Sequence, residues 1–372
     1  MGKGKKGLII ISAINFFEGG PLTILKECLS ALSGPAYSEY DVLALVHKKE
    51  LVNSDNIGDN IKLIQIPNAR KSYFFRLYYE YYFFNKIAKK LNPVLWFSLH
   101  DITPRLTSVR QAVYCHNAAA FKDVSFNDLF FQPTIFFFTL FYKFLYKINI
   151  NKNAYVIVQQ KWLKAKFIEQ FKLPKDKILV SHPRKMVSER KEFIVSDDGL
   201  NTFFYPALGR PFKNFEILGE AALILLAMNI SNFRIVITID GTENKYTQHI
   251  KQKYGAIRQL EFIGKLKLTE VQDYYLRSKA LVFPSKLESW GLPITEYKEY
   301  NKPIILSDLP YARETTGNYE KASFFNPSDS EELANQIKDL MEGNLKYEDI
   351  AYDDDNEHIY IGWDQQLNKL LR

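Results

Sequence analysis

The sequence predicts an α/β fold of two domains, each built on a parallel sheet. Short apolar runs alternate with segments of helical length from one end of the chain to the other. The 372 residues exceed what a single hydrophobic core usually fills. One polar, charged stretch, MVSERKEFIVSDDGL at 186–200, breaks the alternation near the middle, where a boundary between domains belongs.

LIIIS opens the series, and DVLALV, IKLIQI, VLWFSL, QAVYC and AYVIV follow in the first half; TFFYP, FRIVITI, LEFIG, ALVFP and PIILS follow in the second. Strands covered on both faces are apolar at successive positions in this way. Between them, 22–33, 73–91, 214–228 and 268–278 have helical length or spacing. The lysine-rich start before LIIIS is followed by no small-residue cleavage site. Glu18, Gly19 and Gly20 stand where a first strand turns into a first helix, so a strand is expected there rather than a secretion signal. Residues 356–372 read as one amphipathic helix after an acidic run.

Hydrophobic residues at 47% and charged residues at 24% are ordinary for globular proteins, which argues against disorder and against a polytopic membrane protein. No apolar stretch reaches the ~18 residues needed to span a bilayer. The net charge of +7 favours anionic partners without choosing among them. Cys28 and Cys115 match neither a metal spacing nor a disulfide framework, so a cytoplasmic setting is expected. The 28 Phe and 23 Tyr exceed what a core needs. They are densest in FNDLFFQPTIFFFTLFYKFLYKI, where residues 129–147 suit either a buried helix or a surface touching an anionic membrane through its aromatics, Lys143 and Lys147.

Ligands of open α/β sheets bind outside the carboxyl ends of the strands, so the polar loops that follow strands are the candidates. After ALVFPS comes KLESWGLPITEYKEY, with Glu288 and Glu296 on either side of Gly291, Leu292, Pro293 and Ile294. Pro293 suits the first turn of a helix, and free amides from Gly291 to Ile294 would face a phosphate. An acidic helix start that merely complements the dipole would account for Glu296 but not for Glu288 or the glycine.

ESWGLPITE resembles the signature of the family 4 glycosyltransferases (glycosyl transferases group 1), retaining enzymes of GT-B fold. FYPALGRPFKNFEILGEA is similar to the family's second hallmark, with Arg210, Lys213 and Asn214. Gly19 and Gly20 resemble its N-terminal glycine pair, and His116 in QAVYCHNAAAF its sugar-contacting histidine. The resemblance implies two Rossmann-like domains facing across a cleft: 1–190 on the acceptor side, 200–350 binding the nucleotide sugar, and a helix at 356–372 returning to the first. It implies that Arg210 and Lys213 clamp the donor diphosphate, that Glu296 holds the ribose and that Glu288 and His116 hold the transferred sugar. The nucleotide-diphosphate sugar is then a substrate and no cofactor is needed. The acceptor would be a glycan or a lipid-linked sugar of cell-surface polysaccharide synthesis, met at the inner face of the cell membrane. His100 and Asp101 in SLHDITPR are a further candidate acceptor loop. No Asp-x-Asp follows a strand and Asp353, Asp354 and Asp355 sit in a late connection, so metal-independent transfer is expected. A catalytically silent GT-B protein that binds nucleotide sugar or scaffolds other transferases is the alternative. A nucleic-acid binder would share the basic charge but lacks a recognisable module.

Overall fold

The computed structural model describes residues 7–52, 57–121, 131, 133–183, 201–348 and 357–372. The chain divides into two compact units: Met1–Phe121 with Phe141–Arg184 and Asn356–Arg372, and Lys122–Leu140 with Lys185–Asp355. The stretch 186–200 and the acidic run at 353–355 lie outside the described residues.

The first unit carries β1 (Gly7–Ala13), β2 (Tyr40–Val46), β3 (Ile61–Gln65), β4 (Leu95–Ser98), β5 (Gln111–Cys115), β6 (Tyr155–Val158) and β7 (Ile178–His182). They pair in parallel in the order β7-β6-β5-β4-β1-β2-β3. Its helices are α1 (Gly19–Leu32), α2 (Tyr73–Tyr78), α3 (Phe84–Leu91), α4 (Pro133–Lys147), of which residues from Phe141 on belong to this unit, and α5 (Lys161–Phe171). The continuous apolar run of β1 has its reason in burial on both faces. Ile9, Ile11 and Ala13 enter one core cluster, while Ile10 and Ile14 enter another across the sheet. The single helix expected over 73–91 is interrupted by a π turn at Tyr79–Phe83. This turn accompanies two buried ionisable side chains, Arg76 and Glu80, which both meet His100 beyond β4.

In the second unit β8 (Asn201–Tyr205), β9 (Phe233–Ile237), β10 (Leu260–Phe262), β11 (Ala280–Phe283), β12 (Ile304–Ser307) and β13 (Ala322–Phe325) form a parallel sheet in the order β10-β9-β8-β11-β12-β13. Its helices are α6 (Phe215–Ala227), α7 (Lys245–Tyr254), α8 (Leu268–Arg277), α9 (Leu292–Lys298), α10 (Pro310–Thr316) and α11 (Ser330–Glu342).

The last residues belong to the first unit, but not as one helix. A short strand, β14 (Ile359–Ile361), pairs with β7 at the sheet edge, and α12 (Gly362–Leu371) follows. Leu367 and Leu370 of α12 are fully buried in the core cluster that also holds Cys28, Leu29 and Leu32 of α1. Each sheet has one place where strand order reverses, between β1 and β4 in the first unit and between β8 and β11 in the second. Loops leaving such a pair diverge to opposite faces and open a crevice at the carboxyl edge.

Candidate active site

At the reversal in the second unit the loops after β8 and β11 meet. Beyond β8 the chain runs through a 3-10 turn, Pro211–Lys213, and enters α6 at Asn214 in a left-handed conformation (φ 59°). Asn214 is 1% exposed, and its side-chain amide donates to Pro284 O at 3.2 Å and Pro327 O at 2.9 Å. The Tyr205 hydroxyl donates to Lys213 O at 2.9 Å from beneath. Asn214 and Tyr205 thus fix the backbone that presents Lys213. The Lys213 ammonium ion-pairs with the Glu288 carboxylate from the loop after β11. Each side chain is 14% exposed, so the pair is largely shielded yet still reaches the surface. Arg210 begins the same turn and is exposed.

Gly291 precedes α9 with φ 88°, a conformation that disfavours a side chain, and a Cβ there would come within 3.1 Å of Ile294 Cδ1. The amides expected to be free from Gly291 to Ile294 are fewer in the fold. Pro293 has no N–H, and that of Ile294 is spent on Gly291 O at 2.9 Å, because the first turn of α9 closes tightly. Leu292 is exposed. One turn on, Glu296 accepts a hydrogen bond from the Tyr275 hydroxyl of α8 at 2.8 Å. Burial raises its pKa above the ordinary carboxylate value, and the Tyr275 hydrogen bond opposes that.

In the first unit His116 follows β5 and is partly buried. Its ring packs edge-on against Phe16, from the loop after β1, with centroids 5.4 Å apart. Gly19 lies three residues further along that loop, as the first residue of α1 with φ 65°; Gly20 follows it, and a Cβ on either would meet nothing within 4 Å. Asp101, beyond β4, holds the His116 loop. Its Oδ1 accepts the amides of His116 at 2.9 Å and Asn117 at 3.2 Å and the Tyr146 hydroxyl at 2.9 Å, and its Oδ2 accepts the Tyr142 hydroxyl at 3.1 Å. His116 Nδ1 stands 3.6 Å from Asp101 Oδ1. Asp101 itself has φ 71°, uncommon for a residue with a side chain, and those contacts hold it there. His100 is fully buried. Arg76 donates to the His100 carbonyl at 2.9 Å, and His100 Nε2 lies 3.0 Å from Ser12 Oγ and 3.2 Å from Glu80 Oε1. Burial and Arg76 hold the His100 ring well below its usual pKa. In the fold, then, His100 and Asp101 are buried and shape the loop.

Residues 187–355 match the family described as glycosyl transferases group 1. A structure of sucrose-phosphate synthase from Thermosynechococcus elongatus superposes with a TM-score of 0.66 at 16% identity, covering 91% of this chain and 90% of that one. The chain has the GT-B fold, and its second half matches the glycosyl transferases group 1 model.

Anabaena HepE in complex with UDP-glucose is similar to this chain with a TM-score of 0.62 at 15% identity, covering 91% of this chain and 90% of that one. The O-antigen chain mannosyltransferase RfbU of Salmonella typhimurium is 22% identical over 57% of this chain, and the match spans 58% of RfbU. Within the second unit the fold brings Lys213, Glu288, Gly291 and Glu296 to one sheet edge, and within the first it brings His116 beside the loop that leads to Gly19 and Gly20. Sequence reasoning missed Tyr275 as the partner of Glu296, and Tyr142 and Tyr146 as the holders of Asp101. No local signal marks them, since they meet their partners across 21, 41 and 45 residues. Among the described residues no group of three or more His, Cys, Asp and Glu could hold a metal ion.

Proposed function

We propose that this protein is a retaining glycosyltransferase that moves a sugar from a nucleotide-diphosphate donor to a glycan or lipid-linked acceptor in cell-surface polysaccharide synthesis. The observation that carries the reading is the Lys213–Glu288 pair at the β8/β11 reversal, with Glu296 a turn into the next helix. A cation there can neutralise charge growing on a departing diphosphate, with Arg210 as a second, exposed cation at the start of the same turn. Glu288, released from Lys213 as the diphosphate arrives, is free to accept hydroxyls of the transferred sugar. Glu296 offers its second carboxylate oxygen to the ribose. Substitution on one face, in which the leaving phosphate takes the acceptor's proton, retains the anomeric configuration and requires neither a protein nucleophile nor a metal. In this reading His116, braced by Asp101 and Phe16, takes the sugar-contacting role that the resemblance implies for it.

The name of RfbU makes mannose, and the HepE complex makes UDP-glucose, the first donors to test. Thermal unfolding and nucleotide release are measured with a panel of nucleotide sugars, in buffer with and without chelator. One donor should protect the protein and be slowly hydrolysed in both buffers. Protection without hydrolysis or transfer to any acceptor would instead indicate a silent nucleotide-sugar binder. Activity abolished by chelator and restored by a divalent ion would overturn the metal-free step. Peripheral contact with the inner face of an anionic membrane belongs to the same reading, supported by the exposed aromatic stripe of α4.

A further inference from the structure

Three neighbouring loops at the carboxyl edge of the first sheet gather cations for which donor binding provides no role. Phe17 lies in the loop after β1, His47 is the first residue beyond β2, and Arg70 closes the 3-10 turn Pro67–Arg70 after β3. β2 and β3 stay paired to their ends, with Val46 opposite Gln65 and the Ile66 amide donating to Val46 O at 2.8 Å, so their loops leave the sheet side by side. The third loop is tied in by Arg70, whose guanidinium carbon sits 3.5 Å from the centre of the Phe17 ring. A guanidinium laid on an aromatic face is held in place while its N–H edge remains available to a pair of oxygens.

His47 adds a polar atom in need of a partner. Its Nδ1 is shielded from solvent and makes no hydrogen bond among the described residues. Burial, then Arg70, then Lys48 push its pKa below the usual histidine value, and no carboxylate counters them. Glu18, Glu50 and Asp59 are the described acids on these loops; all three are exposed, and among the described residues none of them pairs with Lys48 or Arg70. Phe16, adjacent to Phe17, touches His116, so the cluster borders the candidate active site. An anion seated here would satisfy the His47 ring and relieve the mutual repulsion of His47, Lys48 and Arg70.

We propose that His47, Lys48 and Arg70 form an oxyanion site of the phosphate class, which holds the phosphate of the acceptor. The word acceptor rests on the transferase reading; the anion site does not. A sugar phosphate and the diphosphate of a lipid-linked sugar present the same chemistry.

The test follows the His47 ring in the full chain with carbon-13-labelled histidines, its signal assigned by His47→Gln. Inorganic pyrophosphate should move that signal saturably and raise its apparent pKa, because a bound anion favours the protonated ring. Arg70→Gln, an exposed substitution, should weaken the apparent affinity at least tenfold. Lys213→Ala should leave the His47 response intact, since the donor's diphosphate binds in the other unit. Competition by phosphatidylglycerol vesicles would assign the anion to a lipid headgroup; no competition would assign it to a soluble or sugar-borne phosphate. A His47 signal indifferent to pyrophosphate, or an equal response in Arg70→Gln, overturns the site. Absence of any donor protection alongside an intact His47 response would remove the transferase reading and leave the anion site standing.

Discussion

Lys213 pairs with Glu288, so under the proposed function substitutions at either position affect both folding and chemistry. Lys213→Ala should lower turnover by several orders of magnitude and also destabilise the protein by about 1–3 kcal/mol, because a largely buried carboxylate loses its partner. Denaturation of the two single variants and the double variant checks this: the double variant should lose less than the sum. The two glutamates should separate. With Glu288 in its proposed role at the transferred sugar, Glu288→Gln should depress turnover more than donor affinity, because a contact that strengthens in the transition state acts on turnover. Glu296→Gln should mainly weaken donor binding, by about 1.5–3 kcal/mol for a charged hydrogen bond. Calorimetry and nucleotide release distinguish the two; wild-type values in both variants would leave ESWGLPITE as an acidic helix start. Glu80 adds a pH dependence. Burial raises its pKa to about 8, and Arg76 only partly offsets this. An unfolded glutamate releases its proton near 4.5, whereas the folded one keeps it until about 8. The folded state therefore binds more protons in that window, so the contribution is full below the lower value and is lost as pH rises through the upper one. Unfolding free energies from urea titrations between pH 5 and 9 should fall at up to about 1.4 kcal/mol per pH unit in the wild type and less steeply in Glu80→Gln.

At the scale of elements, α4 shows two faces that composition alone left open. Tyr142 and Tyr146 are buried against Asp101, whereas Phe137, Phe141 and Phe144 are each about half exposed, with Ile148 continuing the stripe just beyond the helix. Their spacing of four, three and four residues keeps them on one side. Lys143 and Lys147 are exposed on the same helix. Phe136 is partly buried, so the stripe runs through its neighbour. Replacing Phe137, Phe141 and Phe144 by Ser should reduce sedimentation with anionic vesicles severalfold while leaving the thermal midpoint within a few degrees. A collapse in stability would show that the stripe is covered in solution, and unchanged sedimentation would exclude it as the contact.

At the scale of the molecule, the C-terminal residues are structural to a unit they follow by a whole domain. β14 extends the first sheet beyond β7, Ser181 donates to Gln366 Oε1 at 2.9 Å, and the Tyr37 hydroxyl donates to Asp364 O at 3.1 Å. Leu367→Ala should cost about 2–5 kcal/mol, because it opens a cavity in the cluster shared with α1. Proteolysis rates of the two units would check this, with the first unit becoming sensitive and the second unchanged.

The sequence by itself determined the α/β class, most strands and the loop carrying Glu288 and Glu296, because these are local patterns: apolar runs, a glycine and proline at a helix start, a fixed spacing. It did not mark β7, β13 or the three-residue β14, whose short runs become strands only through neighbours supplied by distant segments. It named Lys213 and Glu288 as separate candidates, and the fold joined them across 75 residues at the point where strand order reverses. It offered Asp101 as a loop residue, and the fold buried it under two tyrosines from α4. Which atoms meet depends on strand order and on the turns that aim each loop, and both follow from packing among segments far apart in the chain.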